Sequence, residues 1–329
     1  MKISSIKPIN IVSSHKVAEK RDIDWFVENA CDFKEVSCPG CGSKKTEIEF
    51  KKSVVSYLVC KRCGCNYISP RPTARLLAQF YKNSANYSLS ASKLFNKTAL
   101  SREKYLFEPR YEALVANRRA LDKDAGLYLD VGAGFGGFCE LLKKKNFKNV
   151  LGIEPNIALA QSCLARGIKT ICKPYERVRL DSKMSAITAF EIIEHIYSPN
   201  HFLNWCSENL EEGGILFLTT PDISGFETTV LGESSDCFGH EHLNLFSSPG
   251  LEGLLRKHKF LIRNSWSSGE LDVQIVQRRL KTFSDAPECL GGFLSNILAS
   301  GSPDDLNLLQ DYLKKSGKTS HVSVIAEKK

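Results

Sequence analysis

No stretch of this sequence is both long and apolar enough to cross a bilayer. The longest apolar runs fall well short of the ~20 residues that a span requires, so no membrane-spanning helix is expected. The opening residues, MKISSIKPINIVSSHK, lack the continuous apolar core of a secretory signal. A cytoplasmic protein is the simplest expectation. Internal repeats and low-complexity segments are missing as well. The formal charge is +8, yet the basic residues form no long run. Their densest cluster, Lys143-Lys144-Lys145, falls at the end of a predicted helix, where cations suit the helix dipole. The excess charge therefore points to an anionic small substrate or to solubility before it points to nucleic acid.

What is present is ordinary for a soluble protein, with 42% hydrophobic and 25% charged residues. At 329 residues the chain exceeds a usual single domain of roughly 100–200 residues. One large domain with a smaller attachment is expected. Twelve cysteines are spread unevenly. Cys38, Cys41, Cys60, Cys63 and Cys65 crowd one stretch, while Cys139, Cys163, Cys172, Cys206, Cys237 and Cys289 are scattered through apolar or helical contexts. Without an export signal, the cluster favours a metal over disulfides. The scattered thiols are expected to be buried small hydrophobes. Cys38-Pro39-Gly40-Cys41 and Cys60-Lys61-Arg62-Cys63 give C-x2-C-x18-C-x2-C, a spacing suited to tetrahedral structural zinc. Gly40, Gly42 and Gly64 would let backbone amides point at the thiolates. Cys65 is surplus to that set, and four free buried thiols are the alternative.

The chain divides into a weakly patterned lead-in (1–35), the cysteine module (36–72), a helical linker or cap (73–125) and a large domain (126–329) with a helical insert at about 280–316. Helices are expected from Thr73 to Tyr81 and from Ser101 to about Leu121. From Leu127 the period changes: Leu127–Val131, Asn149–Ile153, Ile168–Cys172, Met184–Phe190 and Ile215–Thr220 read as strands separated by helices. Helix Pro249–Lys257, strand Phe260–Trp266 and a closing strand His321–Ala326 continue the series. Such alternation implies an α/β fold with a parallel sheet and helices on both faces.

Asp130-Val131-Gly132-Ala133-Gly134-Phe135-Gly136-Gly137 follows a strand and opens a helix. Glycines there let the backbone approach a ligand closely. Gly132, Gly134 and Gly137 also satisfy the dinucleotide fingerprint G-x-G-x-x-G. Asp130 separates the two readings. A carboxylate at the strand end would repel a pyrophosphate, whereas it suits the ammonium end of S-adenosylmethionine (SAM). Glu154 ends the next strand, where it can accept both ribose hydroxyls of either cofactor.

The downstream order, Phe190-Glu191-Ile192-Ile193-Glu194-His195 and then Leu210-Glu211-Glu212-Gly213-Gly214, resembles class I SAM-dependent methyltransferases, over roughly Leu127 to Lys259. The resemblance implies a Rossmann-like seven-stranded methyltransferase sheet. It implies that Asp130, Gly132, Gly134 and Phe135 line the methionine part of SAM, and that Glu154 holds the ribose. Pro155 and Asn156 would flank the adenine, Tyr175 and Glu176 would touch it, and Phe190 and Glu191 would sit at the mouth.

Glu191, Glu194 and His195 are expected to start a helix that groups them on one face. With His240 or His242 they could bind a divalent ion, as in the resembling metal sites of small-RNA 3′-end methyltransferases and ubiquinone-pathway O-methyltransferases. There a Mg2+-type ion orients vicinal acceptor oxygens. The alternative is a metal-free site in which His195 or His240 serves as general base, or in which alignment alone suffices. The lead-in from the cysteine pairs through Tyr67–Thr73, Phe80-Tyr81 and Ser101–Lys104 resembles bacterial methyltransferases of surface-polysaccharide and sugar biosynthesis. That resemblance implies a sugar-containing acceptor or glycan precursor. Arg71, Arg102 and Arg110 are either anion partners in the pocket or solvated surface residues. Two further readings stay open: an RNA methyltransferase that uses the cysteine module as a clamp, and a non-catalytic binding protein of the same fold.

Overall fold

The computed structural model describes residues 12–52, 54–89, 95–117, 122–281 and 290–329. Its strands are β1 (Thr46–Lys52), β2 (Val55–Cys60), β3 (Asn66–Ile68), β4 (Leu127–Val131), β5 (Asn149–Ile153), β6 (Lys169–Ile171), β7 (Met184–Phe190), β8 (Leu210–Pro221), β9 (Asn244–Leu245), β10 (Phe260–Ser267) and β11 (His321–Lys328). The first helices are α1 (Val12–Glu28), α2 (Ala74–Asn83), α3 (Ala85–Leu89), α4 (Phe95–Arg102) and α5 (Glu108–Ala116). The large domain carries α6 (Gly137–Lys144), α7 (Ile157–Ala165), α8 (Pro199–Asn209), α9 (Phe226–Leu231), α10 (Ser248–Lys257), α11 (Asp272–Leu280), α12 (Gly291–Ser300) and α13 (Pro303–Lys315).

Seven strands form the main sheet in the order β10-β11-β8-β7-β4-β5-β6. The five strands from β8 to β6 run parallel, while β11 is antiparallel to both β8 and β10. Strands β4, β5 and β7 match the expected spans residue for residue. Each is a short, nearly continuous apolar run, as suits strands covered by helices on both faces. The expected Rossmann-like α/β fold is the observed one.

Three local expectations need correction. The helical stretch placed at Ser101 already runs from Phe95, continues through a π-helical turn at Glu103–Phe107 into α5, and ends at Ala116. Ser101 lies inside it rather than capping it, and Leu121 falls outside the described residues. The weakly patterned lead-in contains a 17-residue helix, α1. Its Ala18 and Phe26 are buried, and Asp22 accepts bonds from the Ser84 hydroxyl and the Ala85 and Asn86 amides at the start of α3. Finally, Glu191–His195 form turns, not a helix, and α8 begins at Pro199 behind its Ser198 cap. Glu191 has a positive φ of 56°, which breaks helical continuation from the strand.

The second sheet has four strands, β1-β2-β3-β9. Its last strand comes from the large domain: Asn66 pairs with Leu245, and Tyr67 with Asn244. The two parts also share one apolar core, in which Cys38, Cys60 and Tyr67 pack with Phe246, Leu251 and Leu254. Arg71 is buried, not solvated. Its guanidinium donates to the Asn244 side chain and to the Tyr197 carbonyl, and it lies 4.9 Å from the centre of the Tyr197 ring.

Candidate active site

The turn after β4 sets the floor of a cavity of about 390 Å3. Two glycines there do different jobs. Gly132, at φ 73°, lies so close to Ile192 that an added Cβ would stand 2.0 Å from the Ile192 Cδ1. Gly134, at φ 56°, has open space where a Cβ would go, and its amide donates to Glu154 Oε2 at 2.9 Å. All eleven residues assigned to the cofactor from the sequence line this one cavity: Asp130, Gly132, Gly134, Phe135, Glu154, Pro155, Asn156, Tyr175, Glu176, Phe190 and Glu191. Helix α2 covers it with Leu77 and Tyr81, and the Tyr81 carbonyl accepts from the Asn156 side chain at 3.0 Å.

Asp130 and Glu154 are buried carboxylates with acceptor capacity to spare. Burial raises Asp130 to about 6 against the opposing help of Thr188 and Arg110, and it raises Glu154 to about 7 despite the Asn156 and Gly134 amides. A ligand bringing a cation to the first and hydroxyl donors to the second would relieve both costs. This donor set fits SAM. Arg110 adds the opposite charge near the same end: its guanidinium lies 4.3 Å from the Phe190 ring centre, 3.3 Å from the Thr219 hydroxyl and 3.6 Å from Glu191.

Glu191 therefore belongs to a pocket-wall network rather than to a group with Glu194. Its Oε1 accepts from the Thr219 hydroxyl at 2.6 Å, and its Oε2 lies 3.3 Å from His321 Nε2. Burial opposes its charge, but His321, Arg110 and Thr219 overcome this and hold it at about 2. Burial likewise opposes the charge on His321, and Glu191 lifts that imidazole to about 9. The sequence offered no sign of His321, which stands at the head of a strand some 130 residues away.

His195 faces the cavity, and burial pushes it down to about 4, so it is neutral near pH 7. Its Nδ1 lies 3.1 Å from the Glu241 carbonyl and 3.1 Å from the Tyr81 hydroxyl. A carbonyl only accepts, so Nδ1 carries the proton and Nε2 keeps its lone pair. The same holds for His242, whose Nδ1 lies 2.6 Å from the Cys237 carbonyl and which burial also pushes to about 4. Glu194, His195 and His242 present ligand atoms within 4.8 Å of one another. The His195 and His242 rings are 4.8 Å apart. His240 does not join them. It lies instead 6.1 Å from Phe26, with its Nε2 buried and unpartnered. Gly-His-Glu-His placed two imidazoles two residues apart, and only the fold decides which one turns inward.

The Sγ atoms of Cys38, Cys41, Cys60 and Cys63 also lie within 4.8 Å of one another, with Cys38–Cys63 and Cys41–Cys60 at 3.5 Å. A tetrahedron of thiolates ~2.3 Å from zinc has edges of about 3.8 Å. The knuckles are closed by Gly42 N to the Cys38 carbonyl and Gly64 N to the Cys60 carbonyl. Cys65 is buried outside the four. Of the scattered thiols, Cys139, Cys163, Cys206 and Cys237 are buried, Cys172 is exposed, and Cys289 falls outside the described residues.

Residues 102–263 match a family model described as a methyltransferase domain. The ubiquinone biosynthesis O-methyltransferase of Bradyrhizobium sp. (strain ORS 278) is 30% identical over 111 residues, which are 32% of this chain and 44% of that protein. Its counterpart from Nitrobacter winogradskyi is 32% identical over 111 residues, 32% of this chain and 42% of that one. The matched segment thus spans less than half the length of these curated relatives. Among solved structures, geranyl diphosphate C-methyltransferase from Streptomyces coelicolor A3(2) superimposes with a TM-score of 0.52 at 13% identity, covering 79% of this chain and 100% of that one. Magnesium protoporphyrin IX methyltransferase from Synechocystis PCC 6803 gives 0.51 at 9% identity, over 78% and 100%. At such identities the likeness is one of fold. No described helix is long and apolar enough to cross a membrane. With its mostly parallel seven-stranded sheet, its glycine turn and the match across residues 102–263, the chain carries a class I SAM-dependent methyltransferase domain.

Proposed function

We propose that the chain transfers the methyl group of SAM to a hydroxyl of a small acceptor, a sugar-containing molecule or glycan precursor. One observation carries this reading: a single cavity joins the Asp130–Glu154 end to His195, a buried neutral imidazole with an open Nε2. Transfer to oxygen is supported by the relatives named as O-methyltransferases. The sugar class rests on the resemblance of the N-terminal lead-in.

Bound SAM supplies an electrophilic methyl on a sulfonium. Asp130 would hold its ammonium, Arg110 its carboxylate and Glu154 its ribose hydroxyls, while Pro155, Asn156, Tyr175 and Glu176 would border the adenine. His195 would take the acceptor proton at Nε2, and the Glu241 carbonyl on Nδ1 would steady the imidazolium that results. Helix α2 would keep water out. Glu194, His195 and His242 also fit a divalent ion, although two neutral imidazoles and a carboxylate are a donor set for a transition metal such as Fe2+ or Mn2+ more than for oxygen-seeking Mg2+. Such an ion would polarise the acceptor oxygen, and His195 would then be a ligand and not the base. The four cysteines fit structural zinc.

The test is transfer from methyl-labelled SAM into fractionated cell extract, with and without EDTA. Label in an RNase-resistant sugar or glycan fraction is expected. Loss with EDTA and recovery with Mn2+ or Mg2+ would assign His195 to the metal, whereas indifference to EDTA would leave it the base. Label that vanishes with RNase would overturn the small-acceptor reading.

A further inference from the structure

Helix α13 has two faces of different character. Leu306, Leu309 and Leu313 turn inward and join the apolar cluster of Val273, Val276 and Leu298. Gln310, on the same side, accepts from the Val273 amide and donates to the Gly269 carbonyl. The opposite side presents Asp304, Leu308, Tyr312 and Lys315, spaced i, i+4, i+8 and i+11 and so forming one stripe. Leu308 is 67% exposed and Tyr312 65%, and on neighbouring α12 Phe293 is 81% exposed. Neighbouring charges are already engaged within the chain. Asp305 completes the capping box with Ser302, and Lys314 pairs with Glu270.

The order along the stripe is acid, aliphatic, aromatic, base. Turned end for end, it complements itself. A two-fold axis near the level of Gln310 sets residue 304 opposite 315 and residue 308 opposite 312, so both ends meet with opposite charge and the centre is apolar. Closed two-fold contacts use the same patch on both subunits. We infer that this face of α13 is a contact between two antiparallel copies of the chain, with Leu308 against the partner's Tyr312 and Asp304 against the partner's Lys315. Asp311 opposes the contact: it flanks the stripe, and the axis brings it beside its own copy. A 13-residue helix is about 20 Å long. A contact through this one helix face buries less than the roughly 1,200–2,000 Å2 of tight complexes. Association is therefore weak, with half-dimerisation at about 10–100 µM.

Sedimentation velocity of the full chain from about 5 to 200 µM tests this without reference to catalysis. Wild type should show a concentration-dependent dimer, and Leu308→Asp should stay monomeric. Asp304→Lys and Lys315→Asp should each be monomeric alone, yet associate when mixed, because each then meets the opposite charge at both ends. Asp311→Asn should tighten the wild-type dimer about threefold. All these positions are exposed, and circular dichroism would verify that each variant is folded. A wild type that is monomeric throughout, a dimer indifferent to these changes, or a mixture no better than its components would each overturn the contact.

Discussion

Single residues set the pH behaviour expected of this site. In the proposed site Asp130 and Glu154 would meet cofactor donors as carboxylates, yet burial raises them to about 6 and about 7. Cofactor binding must then displace protons as pH falls through 7 and 6, so affinity is present above pH 7 and lost below 6. Calorimetry with S-adenosylhomocysteine should show binding at least about tenfold weaker at pH 5 than at pH 8, with proton release between. Equal affinity at both would remove these carboxylates from the cofactor site. The two glycines of the turn make a matched pair. Gly132→Ala drives a methyl into Ile192 and should cost about 1–3 kcal/mol of stability, read as a lower Tm. Gly134→Ala points its methyl into open space, so its effect should appear chiefly as weaker cofactor binding, beyond the ~1 kcal/mol of left-handed strain. His195→Gln keeps a polar group but no base. It should lower kcat with little change in cofactor affinity, by roughly 10²–10⁴-fold where the imidazole moves the proton.

At the scale of elements, the turn after β7 is held from outside. Asn244 in β9 donates its side-chain amide to the Ile193 and Ile196 carbonyls, its backbone amide to the Glu194 carbonyl, and accepts from Arg71. Asn244→Ala strips several buried groups of partners and should cost about 2–4 kcal/mol. Transfer should fall with it, since the same turn carries Glu194 and His195; full activity at wild-type Tm would show the turn to be self-supporting. These supports also mark the limit of what sequence could reveal. Strands β4, β5 and β7 were legible because buried parallel strands are bounded apolar runs, and the lining of the cavity because those residues sit at fixed offsets from the strand ends. The two-residue β9 has no periodicity to read. Its place depends on Asn66 and Tyr67, far away in the chain. Helix α1 was hidden because the stripe that faces inward, Ala18, Asp22, Trp25 and Phe26, is sparse and set among charged neighbours. His321 was missed, and the choice between His240 and His242 was left open, for the same reason: both are sited by the tertiary fold and not by local pattern.

Across the whole molecule, the cysteine module and the large domain are built as one body, with β9 completing the module's sheet and Arg71 reaching into the active-site turn. Cys60→Ser, or chelation of the zinc proposed for the four thiols, should therefore lower the Tm of the entire chain in one transition and depress transfer together with it. Elemental analysis would establish the metal, and two separate melting transitions would contradict the shared core. The shared sheet also orders events during synthesis. Strand β3 leaves the ribosome early, but roughly 175 residues, or on the order of 9–35 s at ordinary elongation rates, separate Ile68 from Asn244. Throughout that interval the nascent module has an open strand edge, which only the later half of its own chain can close.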